Sequence, residues 1–267
     1  MSLADVAGWL ACPVCRRGMR LDERRLACAA GHSFDVAKQG YVNLLGTASP
    51  VNADTSAMVG ARSRFLGGGH YRPIADAVAR RMGASRRVLE VGAGTGYYLS
   101  AALEACVEAS GLATDVSPAA CRVAARAHPR IGAVVADTWA GLPVRSSAVD
   151  AVLCVFAPRN ADEFARVLAP GGRLIVVTPD EAHLAALRSR HGLLDVRPDK
   201  AKELGRTLVG FEPIATQHVR YDMPLTAAAV ADLVAMGPNA FHTADLAVDA
   251  TAVEVSVHVS VFRKPLG

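Results

Sequence analysis

Between Val88 and Pro179 the chain alternates short apolar runs with segments whose apolar residues recur at helical spacing. VLEVG, LATDV, AVVADT, AVLCVFA and GRLIVVTP read as strands, and the stretches from Tyr97 to Glu108, Pro118 to Ala127 and Ala161 to Leu168 read as helices. Strands alternating with helices predict an α/β domain built on a parallel sheet with right-handed crossovers. Downstream the pattern changes. After a polar stretch from Glu181 to Gly210 come a strand-like ATQHVRYDM, an apolar helix from Thr226 to Met236, and VEVSVHVSVFRK, whose strict alternation predicts a strand with one polar face. Two strands here suggest an antiparallel addition at the sheet edge. Upstream, helical spacing on either side of Gly67-Gly68-Gly69 predicts two helices about a hinge, preceded by a linker-like GTASPVNADTS. Residues 12–40 carry no sustained period and few core-forming side chains, so burial alone cannot fold them. The expected organisation is a small unit over 1–45, linker and helices over 46–87, and a main domain over 88–267. No internal repeat is present.

Composition narrows the classes. At 267 residues, 51% hydrophobic and 20% charged, the chain is neither disordered, collagen-like nor a disulfide-dense scaffold. No apolar run reaches the roughly 18–20 residues of a membrane span, and the N-terminus lacks a basic start with a long apolar stretch, which makes the cytoplasm the expected address. Net charge is +4 but uneven: residues 1–87 hold 13 Lys and Arg against 6 Asp and Glu, whereas residues 88–267 carry net −3. A basic partner surface belongs in the first third. Arg outnumbers Lys 25 to 4, which together with the Ala richness suggests coding bias, so the asymmetry carries more weight than the Arg count.

Cys106, Cys121 and Cys154 sit in apolar surroundings and read as small buried hydrophobes. The other three cysteines differ. Cys12-x2-Cys15-x12-Cys28-x3-His32 supplies two closely spaced donor pairs, each in a tight turn, as needed to close a tetrahedron around zinc. Four protein ligands leave no open position, which makes the ion structural. Arg16, Arg17, Arg20, Arg24 and Arg25 lie between the pairs, either as a phosphate-contacting surface for RNA or as ordinary solvated charges.

In the main domain, Val88-Leu-Glu90-Val-Gly92-Ala-Gly94-Thr95-Gly96 is an apolar strand running into a glycine loop and then a helix. Asp115 ends the next strand 19 residues after Gly96, where a carboxylate can accept hydrogen bonds from both ribose hydroxyls of an adenosine. A nicotinamide enzyme would share these features. The G-x-G-x-G spacing, Glu90 ahead of the loop and Asp137-Thr138 at the end of the third strand argue instead for another cofactor. Glu90 to Gly96, Asp115, Asp137 and the fourth strand leading to Ala157-Pro158 resemble a class I S-adenosylmethionine-dependent methyltransferase, with its Rossmann-like, mostly parallel seven-stranded sheet. That resemblance implies that the loop holds the amino acid end of the cofactor, Asp115 the ribose and Asp137 the adenine.

The zinc segment, Phe34 to Leu45, Asp54 to Arg62, Gly69-His70-Tyr71 and the methyltransferase motifs, taken in order, resemble the bacterial RlmA family of 23S rRNA guanine-N1 methyltransferases over essentially the whole chain. Met236-Gly237-Pro238-Asn239-Ala240 looks more like the Gram-positive, tylosin-resistance branch than the enterobacterial one. The resemblance implies cofactor contacts from Tyr71, Thr95, Gly96 and His183, and a homodimer whose paired basic surfaces form a cleft for RNA. Its implied target is N1 of a guanine in a hairpin loop of 23S rRNA, with resistance to tylosin-type macrolides as the outcome. Guanine N1 carries a proton that must leave. Asp54, His70 and His183 are candidate general bases, and the sequence does not choose among them. Two readings compete. A small-molecule methyltransferase acting on a quinone or natural product would share the cofactor domain but not need residues 12–32, and a zinc-dependent RNA-binding protein with a degenerate cofactor fold would not need all of Gly92, Gly94, Gly96, Asp115 and Asp137.

Overall fold

The elements follow the expected alternation, with additions at both ends. In chain order they are α1 (Ser2–Val6), a 3₁₀ turn (Ala7–Trp9), β1 (Met19–Asp22), β2 (Arg25–Cys28), β3 (Ser33–Asp35), β4 (Tyr41–Asn43), α2 (Ser56–Gly67), α3 (Arg72–Ala79), β5 (Arg87–Val91) and α4 (Tyr97–Ala105). Then come β6 (Ser110–Asp115), α5 (Pro118–Ala127), β7 (Ile131–Val135), β8 (Val149–Val155), α6 (Ala161–Val167), β9 (Leu168–Pro179), α7 (Ala185–His191), α8 (Lys200–Thr207), β10 (Glu212–Leu225), α9 (Ala227–Ala235) and β11 (Thr251–Arg263). The computed structural model describes residues 2–46, 50, 53–191, 200–237 and 249–266. Pro238, Asn239 and Ala240 of the branch-distinguishing segment, and parts of the linker and of the 181–210 stretch, lie outside the described residues.

The main sheet runs β10-β11-β9-β8-β5-β6-β7-β4. Strands β9, β8, β5, β6, β7 and β4 pair in parallel, and β11 and β10 add antiparallel to β9. The sheet therefore has eight strands where seven were expected. The eighth is β4, whose Val42 is buried and which pairs with β7 from Tyr41↔Ala133 to Asn43↔Val135. It lies just inside the 1–45 limit, so the N-terminal segment supplies an edge of the main sheet. One apolar cluster fills each face of the sheet; the second also takes in Leu10, Met19 and Leu26 from the N-terminal segment beside Leu142 and Val144.

Local chemistry sets the helix starts. Thr55, Ser117, Asn160 and Thr226 cap α2, α5, α6 and α9, their side-chain oxygens accepting a backbone N–H three residues on. The polar face expected of the last strand is less wet than its alternation suggests. β11 is an interior strand, and Ser256 and Ser260 on that face are buried.

Candidate cofactor cleft and metal knuckle

At the C-terminal ends of β5, β6, β7 and β8 a cleft of about 710 Å³ opens, lined by the glycine loop, Asp115, Asp137, Tyr71 and His183 among others. This is where open parallel sheets bind ligands, and the volume lies in the range of small-molecule sites. The glycines are needed sterically. Gly92 has φ +61 and a Cβ there would sit 2.7 Å from the Ala157 Cβ; Gly94 has φ +53 and its Cβ would meet Arg62 Nη1 at 2.9 Å. The bare backbone leaves the loop open to the cleft.

Asp115 organises that loop. Its Oδ2 accepts the Gly94 N–H at 2.8 Å and its Oδ1 the Ser117 N–H at 2.9 Å. Burial raises its pKa and these two N–H groups oppose the rise. A carboxylate has about four acceptor positions, so ribose hydroxyls still find lone pairs here. Asp137 accepts the Trp139 N–H at 2.8 Å, which turns the chain at the cleft rim and leaves the Trp139 side chain 64% exposed.

Tyr71 and His183 meet inside the cleft, Oη to Nε2 at 3.5 Å, and Phe156 stacks on the imidazole with centroids 6.0 Å apart. The Ser256 N–H donates to His183 Nδ1 at 3.2 Å. That bond requires a lone pair on Nδ1, so the neutral ring carries its proton on Nε2. In that tautomer His183 presents a donor toward Tyr71.

The other two base candidates have different surroundings. The Asp54 carboxylate forms an ion pair with Arg62, whose other Nη donates to the Met236 carbonyl at 2.6 Å. His70 does not line the cleft; it stacks on Phe65 at a centroid distance of 4.8 Å. Among the sequence-derived cofactor residues, Tyr71, Gly92, Gly94, Thr95, Asp115, Asp137 and His183 line the cleft, whereas Glu90 and Gly96 stand behind it. Glu90 is 1% exposed and its Oε2 accepts the Leu99 N–H at 3.2 Å, which ties β5 to the first turns of α4. Burial first and Asp115 second push its carboxyl up to about 8, against that N–H.

Sequence reasoning missed Arg62, Tyr98, Trp139 and Phe156, all of which line the cleft. Phe156 was findable: it directly precedes Ala157-Pro158, and a non-glycine residue at φ 52 there turns an aromatic ring into the site.

The knuckle brings Cys12, Cys15, Cys28 and His32 together, with donor atoms all within 4.8 Å. Cys12 Sγ and Cys28 Sγ lie 3.6 and 3.4 Å from His32 Nδ1, and Cys15 Sγ lies 3.7 Å from Cys28 Sγ. These are edges of a tetrahedron with zinc bonds of about 2.0–2.3 Å. The sulfurs are too far apart for a disulfide, which needs about 2.05 Å. Donor set and spacing fit a closed structural zinc site. The knuckle docks on the segment that follows the Asp137–Trp139 rim, with Leu10 bridging Val144 and the Arg145 N–H donating to the Trp9 carbonyl at 2.8 Å. All five knuckle arginines are exposed. Arg24 donates to the Val36 and Ala37 carbonyls and Arg25 faces Asp35 at 3.3 Å, while Arg16, Arg17 and Arg20 have no ion-pair partner among the described residues.

Comparison with known proteins agrees with both halves. A family model described as RlmA, N-terminal, a zinc ribbon, matches residues 10–56, and a methyltransferase domain model matches residues 88–172. A chain in the complex between the Haloferax volcanii Trm112 methyltransferase activator and its methyltransferase superposes with a TM-score of 0.56 at 20% identity, over 81% of this chain and all of that one. The fold and the two family matches together define a class I S-adenosylmethionine-dependent methyltransferase carrying a zinc ribbon. A 23S rRNA (guanine(748)-N(1))-methyltransferase from Streptomyces fradiae is 45% identical over 89% of this chain and 88% of its own length. A Micromonospora griseorubida protein assigned as a 23S rRNA (guanine-N(1)-)-methyltransferase is 44% identical over 96% of this chain and 95% of its own. The chain belongs to the RlmA family of 23S rRNA (guanine-N1)-methyltransferases.

Proposed function

We propose that this chain transfers the methyl group of S-adenosylmethionine to N1 of a guanine in a hairpin loop of 23S rRNA, and that the modification protects the ribosome from tylosin-type macrolides. The observation that carries the reading is the docking of an arginine-bearing zinc knuckle next to the rim of the cofactor cleft, which a small-metabolite enzyme would not need. The relative from Streptomyces fradiae makes the guanine at position 748 the expected target.

In this reading Gly92, Gly94 and Thr95 receive the amino acid end of the cofactor, Asp115 the ribose and Asp137 the adenine, with Tyr71 and His183 closing the cleft. When bound, the cofactor supplies an electrophilic methyl group on a sulfonium. Transfer needs nucleophile, methyl and sulfur in line, so most of the protein's contribution is positioning. A paired or stacked guanine must be taken out of the RNA to enter, and Phe156, 41% exposed, and Trp139 supply aromatic faces at the mouth for it to stack on. His183 donates rather than accepts there. The segments divide the work: 1–45 recognises RNA, 46–87 closes over the glycine loop through Arg62, and 88–267 holds the cofactor. We place the enzyme in the cytoplasm as a homodimer, a reading supported by the family resemblance; no helix among the described residues is long and apolar enough to cross a membrane.

The test is incubation with labelled cofactor and either deproteinised 23S rRNA or a small-metabolite pool, followed by primer extension. Label in the rRNA with a new stop at one hairpin guanine is the expected result. Label in a metabolite alone would replace this reading with the small-molecule one.

A further inference from the structure

Besides the knuckle, the described residues contain one other cluster with metal-ligand chemistry: Asp180, His218 and His258, whose donor atoms all lie within 4.8 Å of one another. Three adjacent strands build it. His218 on β10 stands directly opposite His258 on β11, which stands opposite Thr178 on β9, and Asp180 follows on the same face just past the end of β9. The two imidazoles stack with centroids 4.6 Å apart, and His258 Nε2 is 3.1 Å from Asp180 Oδ2. The other Asp180 oxygen accepts the Ala182 N–H at 2.9 Å, which fixes the carboxylate with Oδ2 toward the histidines.

His218 Nε2 is engaged by the Ser256 hydroxyl at 2.8 Å, while two other polar atoms on these strands lack partners. The Thr178 hydroxyl, beside His258, is buried without a hydrogen bond, and so is Glu254 Oε1 farther along the same face of β11. The neighbouring cation does not close the site: Arg220, across from Ser256, is paired with Glu254 at 2.6 Å.

We propose that Asp180, His218 and His258 form a second metal site, for a borderline divalent transition ion such as zinc. Two imidazoles and one carboxylate suit such ions, and three protein ligands leave a position for water, unlike the closed knuckle. Binding requires the stacked rings to splay and His218 Nε2 to exchange the Ser256 hydroxyl for the ion. The ion ties β9, β10 and β11 together at the sheet edge. It also fixes the turn that begins at Asp180 and delivers His183 to the cleft, where the His183 N–H donates to the Asp180 carbonyl at 3.0 Å.

The test uses the full chain with its knuckle already loaded, titrated with zinc and, separately, with cobalt. A second zinc equivalent is expected in the low micromolar range, and the second cobalt equivalent should add ligand-field absorption without the thiolate charge-transfer band of the knuckle. His218→Gln, at an exposed position, and His258→Ala should each abolish the second equivalent, Asp180→Asn should weaken it at least tenfold, and Cys28→Ser should leave it intact. A wild-type chain that saturates at one zinc would overturn the proposal. So would a second equivalent unchanged in both histidine variants, which would mark it as scattered surface binding.

Discussion

In the zinc knuckle, three strands of three or four residues bury only Met19, Leu26 and Cys28; in the cofactor domain, every residue of β7 and all but the first of β5 are buried. Each fully buried aliphatic side chain contributes about 1.5–3 kcal/mol, so the sheet accumulates its stability from many small terms. The knuckle takes much of its from one ion, and its few apolar side chains serve to dock it on the sheet rather than to form a core. Substitutions in the two regions should therefore be felt in different ways. A sheet held by burial can keep a strained glycine loop rigid for the cofactor, while a metal-held head can carry exposed arginines without needing a core beneath them.

The largest effect is expected at Gly92. A methyl group 2.7 Å from the Ala157 Cβ at φ +61 adds overpacking and backbone strain together. We expect Gly92→Ala to weaken S-adenosylmethionine binding by about 100-fold or more in calorimetry, with the zinc content unchanged. Wild-type affinity in that variant would remove the cradle from the account. Next in size is Asp115→Ala. Losing a charge-assisted partner costs roughly 1.5–3 kcal/mol, and the Gly94 and Ser117 N–H groups also lose their acceptor. Cofactor affinity should drop about 10- to 150-fold while RNA affinity stays put.

On the other side of the comparison, replacing Arg16 and Arg17 together should lower RNA affinity and flatten its salt dependence by about 1.4–1.8 in log–log slope. Replacing Arg24 and Arg25 should do less, since backbone carbonyls and Asp35 already engage them. Equal effects from both pairs would mean that partners within the knuckle do not decide which arginines reach the RNA.

The smallest effect concerns Glu90. Its carboxyl is raised from 4.5 to about 8, so the folded protein retains a proton that the unfolded chain has lost across that interval. This contribution to stability is complete below about pH 4.5 and erodes as pH rises toward about 8. Glu90→Gln keeps an acceptor for the Leu99 N–H and removes the titration, so its Tm should fall less than the wild type's between about pH 6 and 8. Parallel curves would show that Glu90 is ionised in the fold.

The strands from β5 to β9 and the glycine loop were legible because burial writes itself into apolar runs and because steric need writes itself into glycines. The knuckle was legible through ligand spacing. Strand β4 was not: three residues inside Tyr-Val-Asn-Leu-Leu carry no period long enough to distinguish an edge strand from a loop. Helices α7 and α8 hid in a polar stretch because a few leucines, Leu187, Leu204 and Leu208, anchor them. Arg62 could not be found from pattern, since its place over Gly94 depends on how α2 packs across the sheet. The surroundings of the candidate bases were hidden for a related reason. Asp54 and His183 both reach the cleft, yet their partners there, Arg62 and the Ser256 N–H, lie 8 and 73 residues away in sequence.

The most direct measurement pairs cofactor binding with rRNA methylation in Cys28→Ser. If the metal-held head recognises RNA and the burial-held sheet binds cofactor, the variant should lose its knuckle zinc and its methylation of 23S rRNA while binding S-adenosylmethionine within about threefold of wild type. Undiminished rRNA methylation without the knuckle zinc, or loss of cofactor binding along with it, would contradict that division.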